Sequence, residues 1–169
     1  MNNNVDTPHI AYLKQHLRSI PDFPQQGINF RDVTTLFKDA KCIAIMEEEL
    51  FNLYKDKGIT KVVGIESRGF VMCRKPGKLP AETIRQTFNK EYGTDTIEIH
   101  KDSITEDDVV LIHDDLLATG GTIKAAWDLV KKFSPKKCYM NFIIEIRDEG
   151  CRGRENIGPG VEVTTLLSY

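Results

Sequence analysis

Two adjacent carboxylates, Asp114 and Asp115, stand between a run of apolar residues and a run of small ones in VVLIHDDLLATGGT, Val109 to Thr122. The apolar run reads as a strand buried on both faces, and open α/β sheets take their ligands at the carboxyl ends of such strands. Ala118, Thr119, Gly120, Gly121 and Thr122 then lead into a helical pattern. Free backbone N–H groups, the positive end of a helix dipole and two hydroxyls converge there, and a phosphate fits that point. The loop has neither the lysine of G-x-x-x-x-G-K-[ST] nor the spacing of G-x-G-x-x-G. Two carboxylates would repel a second phosphate laid against them, so the part of the ligand they meet must be a donor or a cation. A ribose 5-phosphate satisfies both ends: the phosphate sits in the cradle, the 2- and 3-hydroxyls sit on Asp114 and Asp115, and any Mg²⁺ is held mainly through substrate oxygens and water. The plain alternative is a capped helix after an acidic turn.

Further candidates are weaker taken alone. In GIESRGF, Ser67 and Arg68 offer a hydroxyl, a guanidinium and backbone amides beside a glycine, which suits a polyanion as well as it suits a surface turn. Glu91 in EYG reads by pattern as a solvated hairpin charge, and Phe30 in GINFRD as core. His113 abuts the acidic pair, but the four histidines show no metal-ligand spacing, so a packed histidine at a strand end is the simpler reading. Trp127 is most simply core.

These residues need a sheet to stand on. KVVGI, VVLIH and CYMNFIIEI are short apolar runs of the kind buried strands have, and VEVTTLL supplies another near the end. Between the second and third, TIKAAWDLVKKF places Ile123, Ala126, Trp127 and Val130 on one helical face, which predicts a right-handed strand–helix–strand crossover in a parallel sheet. Upstream, Thr7 and Pro8 open a short helix with Ile10, Leu13 and Leu17 on one face. A second helix, with Ile43, Met46, Leu50, Leu53 and Tyr54 on its face, runs from Asp39 as N-cap toward Gly58 as stop. PDFPQQGINFRD, punctuated by two prolines and a glycine, reads as irregular chain in which Phe23, Ile28 and Phe30 must pack. From Cys73 to Asp108 only ETIRQTF and TIEIH show a pattern, that of two exposed strands joined through NKEYGTD, and a mobile flap from about Pro80 to His100 is expected over the site.

The chain resembles the phosphoribosyltransferase family, whose signature is a hydrophobic strand, two acidic residues and a Thr/Gly loop that binds phosphoribosyl pyrophosphate. VVLIHDDLLATGGT carries that signature, and IPDFPQQGINFRDVT, GIESRGF, RKPGKLP and EYGTDTIEIHKD resemble further blocks of its purine-base branch, in order. The resemblance implies a single-domain type I α/β fold over residues 1–169: a mainly parallel sheet flanked by helices, with a flexible flap over the site. It implies transfer of a phosphoribosyl group to adenine in purine salvage, with Mg²⁺, in a homodimer. By the same resemblance Ala118, Thr119, Gly120, Gly121 and Thr122 hold the 5-phosphate, and Asp114 and Asp115 the ribose hydroxyls. Ser67, Arg68 and Lys75, with Lys78 nearby, approach the pyrophosphate. Asn29, Phe30 and Arg31 line the adenine pocket, and Glu91, beside Tyr92, is the catalytic acid/base. Family members also carry a helix and a strand between the counterparts of SRGF and RKPGKLP, whereas here GFVMC passes to RKPGKLP almost at once. One helix–strand unit is therefore expected to be missing after Phe70, and a parallel crossover needs about a dozen residues in any protein.

Bulk properties narrow the class. The 169 residues suit one domain, and 23 Lys+Arg against 25 Asp+Glu, without blocks of like charge, argue against a nucleic-acid partner. No apolar run reaches the length of a membrane span, and MNNNVDTPHI shows no export or organelle signal, so the expectation is a cytoplasmic protein. Cys42, Cys73, Cys138 and Cys151 lie far apart, as reduced thiols do. Two other readings stay open: a transferase for another purine, and a protein that binds phosphoribosyl pyrophosphate without chemistry.

Overall fold

The computed structural model describes residues 7–23, 26–65, 71–89, 93–148 and 150–169, and the chain divides into two compact units, Met1–Asp56 and Lys57–Tyr169. In the first, α1 (Pro8–His16) begins where expected, with Thr7 accepting from the Ile10 N–H and Pro8 in the first turn. The chain then turns straight into β1 (Arg18–Pro21), which pairs antiparallel with β2 (Asn29–Asp32). The segment expected to be irregular is therefore half hairpin, with Pro21 at the end of β1, while Pro24 lies outside the described residues. Phe23, Ile28 and Phe30, expected to pack, are 49%, 39% and 37% exposed, with Phe23 and Phe30 meeting edge to face at 5.2 Å. After α2 (Thr34–Phe37), α3 (Ala40–Tyr54) has Asp39 as N-cap as expected. Its buried face is Cys42, Ile45, Met46 and Tyr54, and Ile43 lies 44% exposed. Met46 and Tyr54 lie inward as expected and Leu50 and Leu53 are half-buried, so only Ile43 was misplaced, Cys42 and Ile45 taking the inner side beside it.

The second unit is a five-stranded parallel sheet in the order β4-β3-β7-β8-β9, built from β3 (Lys61–Ile65), β4 (Val71–Cys73), β7 (Val109–Leu117), β8 (Lys137–Glu145) and β9 (Glu162–Ser168). Helix α4 (Gly121–Lys131) makes the crossover from β7 to β8 and turns Ile123, Ala126, Leu129 and Val130 into the core with Val110, Ile112, Met140 and Phe142. A five-residue helix, α5 (Gly153–Ile157), precedes β9 and had no counterpart in the sequence reading. Of the helix–strand unit expected to be missing after Phe70, the strand is present. Val71–Cys73 is present as an edge strand parallel to β3, while the five residues separating it from Ile65 are fewer than a helical crossover takes.

Between β4 and β7 lies the antiparallel hairpin of β5 (Thr83–Asn89) and β6 (Thr94–His100), paired from Thr83 opposite His100 to Asn89 opposite Thr94. Its strands were expected to be exposed, and β6 is not. Ile97 and Ile99 enter the core with Ile84 and Phe88 beside them, and Glu98 on the other face is only 1% exposed. Alternation in TIEIH signalled an apolar face and a polar face correctly, but the polar face is covered by this chain's own Thr83, Arg85 and Gly77.

Candidate active site

Strand β7 runs further than its apolar run suggested. It pairs with β8 through Asp114 opposite Phe142 and on to Leu117 opposite Glu145, so both carboxylates stand on the strand rather than in the loop after it. Successive strand residues point to opposite sides, which fits the difference between a half-buried Asp114 and an exposed Asp115. Burial, reinforced by the negative charge of Asp115, raises the Asp114 carboxyl to about 7. The Asp115 N–H, which donates to Asp114 Oδ1 at 3.1 Å, pulls the other way without prevailing. A hydroxyl donor or a hydrated cation placed there would offset the burial, and the repulsion from Asp115, that hold its proton on. His113 is occupied elsewhere: its Nδ1 meets Oδ1 of the fully buried Asn141 at 3.1 Å, and Asn141 Nδ2 donates to Thr164 Oγ1 at 2.9 Å. Burial lowers its pKa, consistent with a packed strand-end histidine.

The cradle follows at once. Gly120 is the N-cap of α4 in the left-handed conformation, φ 82° and ψ 4°, and no side chain caps the helix. A Cβ at Gly120 would lie 2.8 Å from the Cα and carbonyl oxygen of Gly153, so this position needs glycine on grounds of both conformation and space. The N–H groups of the first turn of α4 and the hydroxyls of Thr119 and Thr122 belong to one short stretch at the positive end of the helix dipole. Such a stretch binds a phosphate dianion without any lysine. The carbonyl of Asn89, the last residue of β5, lies 3.9 Å from where a Cβ on Gly121 would stand, which brings the tip end of the hairpin to the cradle.

The remaining expected site residues divide three ways. Lys75 and Lys78 are exposed on the connection from β4 to β5, whose Gly77 N–H donates to Glu98 Oε1 at 2.9 Å. Asn29, Phe30 and Arg31 lie on β2 of the first unit, where the Arg31 guanidinium meets Ser19 Oγ across the hairpin. Ser67, Arg68 and Glu91 lie outside the described residues. Three residues that sequence reasoning missed are Glu98, Gly153 and Asn156. Asn156 Nδ2 donates to the Thr119 carbonyl at 2.6 Å. Gly153 opens a helix that the sequence pattern does not signal, and nothing in the pattern marks any of the three.

A parallel sheet whose central strand carries two carboxylates near its carboxyl end runs into an uncapped Thr–Gly–Gly–Thr helix start. The family described as phosphoribosyl transferase domain matches residues 33–154, and this chain belongs to that family. Among its relatives, the adenine phosphoribosyltransferase of Bacteroides thetaiotaomicron is 57% identical over 170 residues, covering 92% of this chain and 96% of the relative. The crystal structure of adenine phosphoribosyltransferase from Rhodothermus marinus superposes with a TM-score of 0.84 at 40% identity, covering 95% of this chain and 98% of that one. The Giardia lamblia enzyme in complex with 9-deazaadenine gives a TM-score of 0.84 at 36% identity, covering 96% of this chain and 99% of that one.

Proposed function

We propose that this chain transfers the phosphoribosyl group of phosphoribosyl pyrophosphate to adenine, giving AMP and pyrophosphate in purine salvage. The observation that carries the reading is the uncapped start of α4 directly after the acidic end of β7. Its similarity to adenine phosphoribosyltransferases over nearly the whole chain supports adenine as the base, as does the 9-deazaadenine bound by the Giardia enzyme.

Thr119 to Thr122, with Ala118, take the 5-phosphate, and Asp114 and Asp115 take the ribose hydroxyls. Departure of pyrophosphate from the anomeric carbon leaves an oxocarbenium-like sugar, so the catalytic need is to hold the sugar in line with the base and to stabilise the leaving group. Ser67, Arg68 and Lys75 are assigned to the pyrophosphate, Asn29, Phe30 and Arg31 to adenine, and Glu91 to the purine proton. Mg²⁺, when bound, would supply positive charge that stabilises the departing pyrophosphate. Asp114 and Asp115 are hard oxygen groups of the kind Mg²⁺ accepts, and the ion would be held mainly by substrate oxygens and water beside them. The hairpin of β5 and β6, reaching the cradle through Asn89, is assigned as the flap that excludes water. A cytoplasmic homodimer completes the reading. The β3–β4 connection gives a second reading a specific basis: its five residues are fewer than a helical crossover takes, which favours binding of phosphoribosyl pyrophosphate with impaired chemistry.

Calorimetric titration with phosphoribosyl pyrophosphate and Mg²⁺ tests the site. Asp115→Asn is expected to weaken binding roughly tenfold or more, as loss of a charge-assisted acceptor does. Unchanged affinity would show that the acidic pair does not read the sugar.

A further inference from the structure

A loop that binds phosphate through backbone N–H groups must keep its carbonyls turned away, and such a loop has no intrinsic reason to hold that orientation. Here the support comes from α5. The helix is fixed by two of its residues: Ile157, 2% exposed, enters the core, and Arg154 forks onto Glu145, with Nε to Oε1 at 2.5 Å and Nη2 to Oε2 at 3.0 Å. Arg154 Nη1 also donates to the Val163 carbonyl at 3.0 Å, tying α5 to β9. Glu145 is itself 4% exposed and pairs in register with Leu117, the last residue of β7 before the cradle.

At its first residue, Gly153, α5 presses into the loop. A Cβ there would lie 2.5 Å from Leu117 Cδ1 and 2.6 Å from the Ala118 carbonyl oxygen, so the backbone of α5 itself forms the wall behind Gly120. Asn156 then donates to the Thr119 carbonyl at 2.6 Å. In a trans peptide the carbonyl and the following N–H point in opposite directions. Fixing the Thr119 carbonyl toward α5 therefore aims the Gly120 N–H away from α5.

We infer that α5 is the brace of the phosphate cradle, with Gly153 and Asn156 as positioning residues that preset the Thr119–Gly120 peptide for the 5-phosphate. This rests on the proposed sugar-phosphate site, and its consequence is specific: the brace governs affinity for the 5-phosphate end of the substrate and leaves recognition of the base alone.

The test is calorimetric titration of the full chain with ribose 5-phosphate and, separately, with phosphoribosyl pyrophosphate and Mg²⁺. Asn156→Ala removes an exposed side chain and is expected to lower affinity for both probes by the same factor, roughly fivefold, with Tm and the KM for adenine unchanged. Gly153→Ala is expected to lower it roughly tenfold or more, because its Cβ must displace either the loop or the helix. Glu155→Ala, on the exposed side of α5, serves as the control and is expected to bind as the wild type does. Wild-type affinity in Asn156→Ala would overturn the brace while leaving the cradle standing. Failure of the wild-type chain to bind either probe would overturn the cradle and the brace together.

Discussion

At the scale of single residues, the site is built from groups held in states they would not choose in water. Asp114 binds its proton more tightly in the fold, at about 7, than the ordinary carboxylate value of 3.8 it has in an unfolded chain. Below 3.8 it is protonated in both states and costs nothing; as pH rises from there through about 7, the fold must accept a charge it disfavours, and stability is lost. Asp114→Asn removes that loss. Thermal denaturation is therefore expected to show the variant several degrees more stable than the wild type near pH 8, with the advantage vanishing near pH 4. An advantage of equal size at both pH values would contradict this origin. Gly120→Ala should destabilise by about 2 kcal/mol or more, as a side chain forced into the left-handed region against backbone does, and chemical denaturation measures it. Asp114, Asp115 and Gly120 were legible because a carboxylate pair and a glycine loop are themselves chemical statements. Gly153 and Asn156 were not, because their role is set by a loop more than thirty positions away in the chain, and only the fold brings them to it.

At the scale of elements, a buried charge, Glu98, anchors the hairpin. Glu98 accepts from Arg85 Nε at 2.9 Å, Thr83 Oγ1 at 3.0 Å and the Gly77 N–H at 2.9 Å, while its own backbone bridges Arg74 in both directions. Burial alone would raise its pKa, but the bonds from Thr83, Arg85 and Gly77 outweigh it and the net direction is down. Its contribution is present above the ordinary glutamate value and is lost as pH falls through the lowered one. Glu98→Gln keeps the shape and removes the charge. It is expected to lower Tm by about 5 °C and to speed proteolytic cleavage within 74–100, the Lys75 loop included, since all three segments share this carboxylate. Cleavage at the wild-type rate would show that the hairpin is held by its apolar face alone. The hairpin itself was legible from alternation in TIRQTF and TIEIH, but its burial was not, because alternation reports that a strand has two faces and not what covers the polar one.

For the whole molecule, the parallel sheet and its crossover helix were legible from apolar runs and one amphipathic pattern, since buried parallel strands advertise themselves as continuous hydrophobic segments. The edge was harder to read: β4 has three residues and stands where the chain is too short for a helical crossover. Cohesion should fall from centre to edge, so hydrogen exchange is expected to be slowest at Met140 to Ile144 of β8 and much faster at Met72. Equal protection would mean that the short connection does not weaken the edge. The central claim is tested most directly by AMP formation from adenine, phosphoribosyl pyrophosphate and Mg²⁺ with the purified chain, using hypoxanthine and guanine as alternative bases. Adenine-specific turnover is the predicted result. Binding of phosphoribosyl pyrophosphate with no AMP formed would contradict it, leaving a cradle that captures the sugar phosphate in a protein that no longer transfers it.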